Sequence, residues 1–353
     1  MKHACLALTA AGVLAAVISD GRAAGNTALP VPQQQQALLQ TGTGGPEMLK
    51  LETIPVLQPG PGQVLIRVHA AALNPTDLIT LQRPAAAGQT IRRVAGVDLS
   101  GVIVAVGPET PGRSVGMPVF GMVDRQGNAL NGAFSQYALL RTQSAVPKPP
   151  NLSYAEAAGL GVVGATALRM LDSAEVRSGQ RVLITGVAGG VGSTAAQMAR
   201  ARGATVIGTA SPRHAKYLQS IGVSQVIDYR EGNVAGKVGS VDAVIDTAGG
   251  DEAIELLRTI KAGGHFVSVG HVEVKPEQCS AAHVVCAGSP GSAANASASV
   301  LEQVGQLAGT GKLRINIDKS YPLEHAVEGL QYLQQGHAEG KVILKVTGEA
   351  DRR

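Results

Sequence analysis

The stretch that decides the fold is Gly186-Val187-Ala188-Gly189-Gly190-Val191-Gly192. The apolar run before it, residues 181–186, predicts a buried strand, and residues 191–202 predict a helix. A glycine-rich turn between a strand and a helix is typical of dinucleotide binding, because a pyrophosphate needs backbone N–H groups at close range. The positive end of the helix dipole faces the phosphates. We therefore predict a dinucleotide site here; an ordinary tight turn is the alternative.

The sequence after this loop alternates between strand-like and helix-like segments. Strands are predicted at residues 205–209, 225–228, 241–246 and 265–269, and helices at residues 212–221, 251–260, 297–309 and 322–335. This alternation indicates a parallel sheet with right-handed crossovers. Residues 341–346 predict a closing strand.

The sequence before the loop is different in character. Short strands separated by glycine and proline turns are predicted at residues 63–69, 101–106, 117–121 and 134–138. Val64, Ile66 and Val68 occupy alternate positions and should share one buried face. After Pro149-Pro150 the pattern becomes helical from about Tyr154. The chain therefore begins with a β-rich domain and continues with an α/β domain.

Composition limits the classes of function. The chain has 353 residues, of which 45 are glycine, 44% are hydrophobic and 3% are aromatic, with a net charge of +4. This apolar content is sufficient for a core, so the chain is neither disordered nor fibrous. Few aromatic residues argue against a single-stranded nucleic-acid surface, which uses stacking platforms. The weak net charge predicts no nucleic-acid partner.

The N-terminus has the layout of a secretory signal. Lys2 precedes the apolar residues 4–18, and small residues follow at Ala23 and Ala24, where cleavage is expected. We predict a signal peptide at residues 1–24, a linker at residues 25–36, and a periplasmic or secreted protein without stable membrane insertion after processing. An uncleaved anchor is an alternative, and a misassigned start would make the protein cytoplasmic.

Three cysteines are present, and Cys5 leaves with the predicted signal peptide. Cys279 and Cys286 remain, and in an oxidising compartment they can form one disulfide. Two free thiols are the alternative, and two cysteines alone cannot build a thiolate metal site.

The end of the second strand discriminates between cofactors. An NAD site usually has a carboxylate there for the ribose hydroxyls, and the segment from Thr209 to His214 has none. Ser211 can donate a hydrogen bond, and Arg213 can pair with a 2′-phosphate. We therefore predict NADP(H). The alternative is that Arg213 is simply solvated.

Several further motifs give the chain a family resemblance. They are residues 61–66, 74–77, 95–101, 186–192, 227–230 and 336–342. With these motifs in this order, the chain resembles the zinc-independent quinone oxidoreductases, the zeta-crystallin-like branch of the medium-chain dehydrogenase/reductase superfamily. The resemblance extends over residues 37–346.

The resemblance implies an α/β protein of two domains. A GroES-like β-rich catalytic domain would comprise residues 37–150, completed by residues 314–349. A Rossmann domain with a doubly wound parallel sheet, residues 151–313, would bind NADP, and the active site would lie in the cleft between the two. A homodimer is compatible with this resemblance.

The resemblance also implies roles for particular residues. Asn74 and Thr166 are the candidate catalytic residues, and Thr166 also corresponds to a cofactor-contacting threonine. Tyr229 matches a tyrosine near the adenosine 2′-phosphate. The expected cofactor-binding residues are Gly186, Ala188, Gly189, Gly190, Val191, Gly192, Ser211, Arg213, Tyr229 and Thr166.

Zinc is not expected. Asn74 is near the position of a zinc-ligating cysteine in alcohol dehydrogenases, Val97 is where those enzymes have histidine, and no cysteine occurs between Ala24 and Gln278. Without a Lewis acid, hydride transfer should be to an activated acceptor, a quinone or an α,β-unsaturated carbonyl. The sequence thus predicts an NADPH-dependent quinone oxidoreductase or enone reductase.

The sequence departs from the family pattern at Leu78-Ile79, at His214 and in residues 271–297. Leu78-Ile79 replaces the aromatic residue or lysine that often follows the Asn-x-x-Asp element, so an expected proton donor is missing. His214 occupies a position where many relatives have lysine. A catalytically silent NADP(H)-binding sensor or scaffold is therefore the alternative function.

The remaining polar residues are assigned structural roles. Asp77 is expected to cap the following helix, and Asp98 to accept hydrogen bonds from backbone amides in a turn. His69 is expected on the surface, and Lys341 at a strand edge. His337 is expected in a loop that closes a helix.

Overall fold

The computed structural model describes Met1 and residues 31–85, 90–124, 128–250, 252–269, 274–287, 297–336 and 338–347. The expected signal peptide and its cleavage point, linker residues 25–30, and His337 lie outside the described residues. No helix in the described part of the chain is long and apolar enough to cross a membrane.

The first part of the chain is β-rich, as predicted. Its elements are β1 (Gln34–Gln40), β2 (Leu49–Pro55), β3 (Gln63–Leu73), α1 (Pro75–Leu81), β4 (Arg93–Val94), β5 (Asp98–Val106), β6 (Pro118–Met122), β7 (Tyr137–Arg141) and β8 (Val146–Pro147). β1 pairs antiparallel with β2 and β4, and β3 pairs antiparallel with β5 and β7. The last three residues of the expected linker belong to β1, because Gln34, Gln35 and Gln36 pair with β2.

The second part is an alternation of strands and helices. Its elements are α2 (Tyr154–Ala158), α3 (Gly161–Ser173), β9 (Arg181–Ile184), α4 (Gly190–Ala201), β10 (Thr205–Thr209), α5 (Ala215–Ser220), β11 (Gln225–Ile227), α6 (Val234–Val238), β12 (Val241–Asp246), α7 (Glu252–Glu255), β13 (Ile260–Ser268), α8 (Pro276–Ala281), β14 (Val285–Ala287) and α9 (Ala298–Gly309). The strands form one parallel sheet in the order β11-β10-β9-β12-β13-β14. The strand order reverses at β9, because β10 and β11 follow on one side of it and β12 to β14 on the other. In such folds, ligands bind at the carboxyl ends of the strands at this point.

The C-terminal part adds two strands to the sheet that contains β3. It comprises β15 (Ile317–Pro322), α10 (Ala326–Gln334) and β16 (Lys341–Lys345). β16 pairs antiparallel with β3, so the sheet order is β15-β16-β3-β5-β6-β8. The β-rich part completed by β15 and β16 and the six-stranded parallel sheet together confirm the predicted α/β fold class.

The hydrophobic core follows the alternation read from the sequence. Val64, Ile66 and Val68 of β3 are fully buried in one cluster. Burying such a side chain stabilises the fold by about 1.5–3 kcal/mol. α3 and α4 pack together, and their buried faces join the cluster that includes β9 and β10.

The strand predicted at the end of the first part begins later than expected. Residues 134–138 were expected to form a strand, whereas β7 begins at Tyr137. The Ser135 hydroxyl is within hydrogen-bond distance of the carbonyls of Gly132, at 2.7 Å, and Tyr137, at 2.8 Å, and Ser135 forms an isolated bridge with Ala37. Phe134 is fully buried there, so its apolar character reflects packing rather than a strand.

Cys279 of α8 and Cys286 of β14 form a disulfide. Of the two alternatives for these thiols, the structure therefore has the bonded one. The disulfide closes a short loop at the edge strand of the parallel sheet.

Candidate functional site

The glycine-rich loop joins β9 to α4 at the carboxyl edge of the parallel sheet. Gly186 has φ +58°, in the left-handed region. A Cβ on Gly192 would lie 2.4 Å from the Gly186 carbonyl oxygen and 2.7 Å from the Val187 Cα. Only glycine therefore allows the helix to pack this closely on the loop.

The loop presents backbone donors as a pyrophosphate requires. The first-turn N–H groups of α4 have no intrahelical acceptors, as in any α-helix, and the N-cap residue Gly189 has no side chain that could accept from them. Gly189 and Gly190 are half-buried, and a Cβ on Gly189 would contact only the Gly186 carbonyl oxygen, at 3.4 Å. The loop therefore fits a dinucleotide phosphate on geometric grounds.

Two other parts of the chain contact this loop. A Cβ on Gly190 would lie 3.1 Å from Val163 Cγ1 of α3 and 3.2 Å from Lys341 Cδ of β16. The Gly340 amide donates to the Ala188 carbonyl at 3.1 Å. The space beside Gly190 is thus filled by protein, and Gly189 is the more open of the two glycines.

The residues expected at the adenosine end lie at the carboxyl ends of two neighbouring strands. Ser211 and Arg213 follow β10, and Tyr229 follows β11, where it is 47% exposed. The Ser211 side chain does not cap the 3-10 turn that it precedes. Arg213 is exposed, and its Nε donates to His214 Nε2 at 2.9 Å.

A buried polar cluster joins β16, α1, β5 and α3. Lys341 Nζ donates to Asn74 Oδ1 at 2.6 Å and to the Leu73 carbonyl at 3.0 Å. Asn74 Nδ2 donates to Asp98 Oδ2 at 3.0 Å. The Val162 amide, in the first turn of α3, donates to Asp98 Oδ1 at 2.9 Å. Asp98 of the first part therefore binds the N-terminus of a helix in the second.

Burial changes the acidity of both charged groups in this cluster. Burial raises the pKa of Asp98 from 3.8 to about 6, although the nearby Lys341 charge and the hydrogen bond from Asn74 oppose the shift. Burial likewise lowers the pKa of Lys341, against the attraction of Asp98 and Asp77. The two charges partly compensate each other in a site of low polarity.

Two expected surface residues are buried. Lys341 is 4% exposed rather than at an open strand edge. Its buried ammonium group donates to Asn74 and is attracted by the Asp98 carboxylate. His69 is 8% exposed, and its ring stacks on Tyr154 of α2 with the centroids 4.2 Å apart. α2, which is distant from β3 in the sequence, therefore covers the face of β3 on which His69 was expected to be exposed.

The capping role expected for Asp77 is confirmed, because its carboxylate accepts a hydrogen bond from the backbone N–H of Asn74 at 2.9 Å. Asp98 accepts a hydrogen bond from a backbone amide, as expected. The donor is Val162 of α3, however, rather than a residue of the turn that contains Asp98.

The structure places the two candidate catalytic residues differently. Asn74 is fully buried, and both ends of its side-chain amide bind protein groups. It is therefore arranged to position its neighbours. Thr166 is half-buried in α3, one turn after Val163, on the helix face that approaches the glycine loop.

Sequence reasoning missed a second polar cluster beneath the glycine loop. Asp246 at the end of β12 accepts hydrogen bonds from Thr185 Oγ1 at 2.5 Å and from Ser268 Oγ at 2.6 Å. It also accepts from the Gly249 amide at 3.1 Å. A carboxylate directly after the buried apolar residues 243–245 of β12 was the available signal.

The donor set at the expected metal position does not suit zinc. Asn74 and Val97 offer neither a thiolate nor an imidazole, and the Asn74 oxygen is bound by Lys341. Within the described residues, no group of three or more histidine, cysteine, aspartate or glutamate side chains could hold a metal ion.

Comparison with known proteins identifies related families. A model of the alcohol dehydrogenase GroES-like domain matches residues 60–150, and a model of the zinc-binding dehydrogenase family matches residues 221–344.

Individual relatives cover nearly the whole chain. Quinone oxidoreductase of Mus musculus is 30% identical over 85% of this chain and 95% of its own. An NADPH-dependent alkenal/one oxidoreductase, chloroplastic, of Arabidopsis thaliana is 31% identical over 89% of this chain and 80% of its own. The solved quinone oxidoreductase from Coxiella burnetii has a TM-score of 0.79 at 32% identity, covering 89% of this chain and 100% of that one.

Proposed function

Because the chain belongs to the medium-chain dehydrogenase/reductase superfamily, we propose that it is an NADPH-dependent oxidoreductase that acts on a quinone or an α,β-unsaturated carbonyl without zinc. The observation that carries the proposal is the glycine-rich N-terminus of α4, whose first-turn amides have no side-chain cap and suit a phosphate. The relatives named for quinone and alkenal/one substrates support the acceptor class.

The preference for NADPH rests on the residues that follow β10. Arg213 supplies a positive charge and Ser211 a hydroxyl after β10, and the exposed Tyr229 follows the neighbouring strand β11. A guanidinium suits a 2′-phosphate, whereas an NAD site usually has a carboxylate at the end of this strand.

NADPH would supply the hydride. The protein would bind the pyrophosphate on the loop at residues 186–192, the adenosine end on Ser211, Arg213 and Tyr229, and the nicotinamide end beside Thr166. Asn74, held by Lys341, would fix the position of α3 through Asp98. Orientation of two reactants is then the main contribution of the protein to the rate.

A zinc-free reaction is favoured by the donor set, because Asn74 and Val97 replace the residue types that bind catalytic zinc. An acceptor already activated by conjugation needs no Lewis acid.

The experiment is a turnover assay of the purified protein with NADPH or NADH and a panel of quinones and enones. We expect oxidation of NADPH with at least one acceptor, a lower KM for NADPH than for NADH, and activity that survives dialysis against a chelator. Loss of activity on chelation, restored by zinc, would contradict the zinc-free mechanism.

A catalytically silent NADP(H)-binding protein is the second candidate. It is favoured by Leu78-Ile79, which supplies no proton donor, and by the burial of Asn74. Tight NADPH binding without consumption of any acceptor on the panel would establish this second candidate and exclude the enzyme.

We also propose that the protein is exported. The layout of residues 1–24 supports this, as does the Cys279–Cys286 disulfide, a bond that persists in oxidising compartments. Mass spectrometry of the native protein should find a chain that begins after Ala23 or Ala24; a native chain that begins at Met1 would contradict export.

A further inference from the structure

We infer that Glu339, in the C-terminal segment, is a positioning residue for the 2′-phosphate end of the cofactor site. It would act through His214, whose ring lies between the Glu339 carboxylate and the Arg213 guanidinium. The inference rests on the proposed function, since it assumes that Arg213 binds the 2′-phosphate of NADP(H).

The contacts form a continuous chain of three side chains. Glu339 Oε2 binds His214 Nδ1, and Arg213 Nε donates to His214 Nε2 at 2.9 Å. The His214 side chain is 10% exposed and that of Glu339 29% exposed, whereas Arg213 is exposed. This chain of hydrogen bonds, the relay, therefore runs from the partly exposed Glu339 carboxylate to the exposed Arg213 guanidinium.

The chemistry of the three groups fixes the direction of each hydrogen bond. An arginine Nε–H can only donate, so Nε2 of the imidazole must be the acceptor. The ring proton of the neutral imidazole is then on Nδ1, where the carboxylate accepts it. Glu339 thus selects the tautomer of His214 that holds the Arg213 guanidinium in place.

The backbone at Glu339 and directly after it is also held by hydrogen bonds. Asn316 Nδ2 donates to the Glu339 carbonyl at 2.7 Å. The next residue, Gly340, donates to Ala188 of the glycine loop, and Lys341 binds Asn74. Residues 339–341 therefore contact the adenosine end, the phosphate loop and the buried cluster in succession.

A carboxylate beside a phosphate site could act in a second way, by repelling the phosphate. The two roles predict opposite results. If Glu339 positions Arg213, removal of its hydrogen-bond acceptor weakens binding of a 2′-phosphate, and glutamine restores it. If Glu339 repels the phosphate, both substitutions strengthen binding.

The test is equilibrium binding, measured by titration calorimetry on the purified protein, so it needs no turnover. The probes are adenosine 2′,5′-bisphosphate and adenosine 5′-monophosphate, which differ only in the 2′-phosphate. For Glu339→Ala we expect a Kd for the bisphosphate about tenfold higher than in the wild type, and for Glu339→Gln a Kd within about twofold of it. The Kd for the monophosphate should be unchanged in both.

Two further variants complete the design. Glu328→Ala is the matched control, because it removes the carboxylate of an exposed glutamate–histidine pair with His325, and it should bind like the wild type. Arg213→Ala should weaken binding of the bisphosphate at least as much as Glu339→Ala.

Each outcome decides between the two proposals. If Arg213→Ala weakens binding and Glu339→Ala does not, or if both Glu339 variants bind more tightly, the relay is wrong and the NADP site stands. If Arg213→Ala has no effect, the NADP site itself is wrong. A ¹⁵N NMR spectrum of the ligand-free wild type gives a second readout: His214 protonated on Nδ1 supports the relay, and protonation on Nε2 alone overturns it.

Discussion

At the scale of single residues, the strongest constraint is the pairing of two charges inside the protein. Asn74 joins the two charged residues, because its side-chain oxygen accepts a hydrogen bond from Lys341 and its side-chain nitrogen donates one to Asp98. Removing one charge leaves the other buried without compensation, which is costly. The cluster therefore tolerates paired changes better than single ones.

The first prediction is a double-mutant cycle on this pair. Asp98→Asn and Lys341→Met should each lower the free energy of unfolding by about 3 kcal/mol, and the double variant should lose less than the sum by about 1–3 kcal/mol. Urea denaturation measures all four proteins.

The exposed pair Glu255 and Arg258 is the control for this cycle. Its coupling energy should be below about 0.5 kcal/mol. Additive losses at Asp98 and Lys341 would show that the buried charges do not interact.

The second prediction concerns pH. The pKa of Asp98 is raised from 3.8 to about 6 by burial, so the folded protein holds this proton more tightly than the unfolded chain. The stability contributed by the protonated carboxyl is present at low pH and is lost as the pH rises through this interval. The wild type should therefore become less stable relative to Asp98→Asn between pH 3.8 and about 6.

Urea denaturation of both proteins across this interval measures the difference in their free energies of unfolding. The difference should level off above the interval. A difference that does not vary with pH would contradict the raised pKa of Asp98.

At the scale of elements, the position of α4 depends on one glycine. A Cβ on Gly192 would collide with the backbone of the loop, at 2.4 Å from the Gly186 carbonyl oxygen. Backbone cannot yield as a flexible side chain does, so the helix must move away from the phosphate site.

The third prediction follows. Gly192→Ala should lower the free energy of unfolding by about 1–3 kcal/mol through overpacking, and it should raise the Kd for NADPH about tenfold or more. Thermal unfolding and calorimetry measure the two effects.

Gly309→Ala is the matched control, since a Cβ at the end of α9 would meet only Pro149 at an ordinary 3.6 Å. This control should be neutral or slightly stabilising, as alanine usually is in a helix. Equal effects of the two substitutions would refute the steric argument.

The elements themselves were largely predictable from sequence, because each depends on local periodicity. β9, β10 and β12 begin where the apolar runs begin. The predicted helix at residues 212–221 starts with a 3-10 turn at residues 212–214 and continues as α5. β1 and β2 were missed because glutamines and alternating charges conceal their apolar residues.

At the scale of the whole molecule, the fold class was predictable and the composition of the site was not. The motifs around Asn74, Asp98 and Lys341 could each be read, but nothing local shows that they meet. The same holds for Glu339 and His214, which are 125 residues apart. Burial of a polar residue is decided by what the chain later places over it.

The return of the chain end to β3 has a consequence for synthesis. Lys341 and Leu73 are separated by 268 residues, and β3 gains β16 as a neighbour only when the last strand is available. Contacts so distant in sequence form late, because a long loop must close first. The sheet that contains β3 therefore stays incomplete, and the phosphate loop lacks its contact with Gly340, until residues 340–345 have been made.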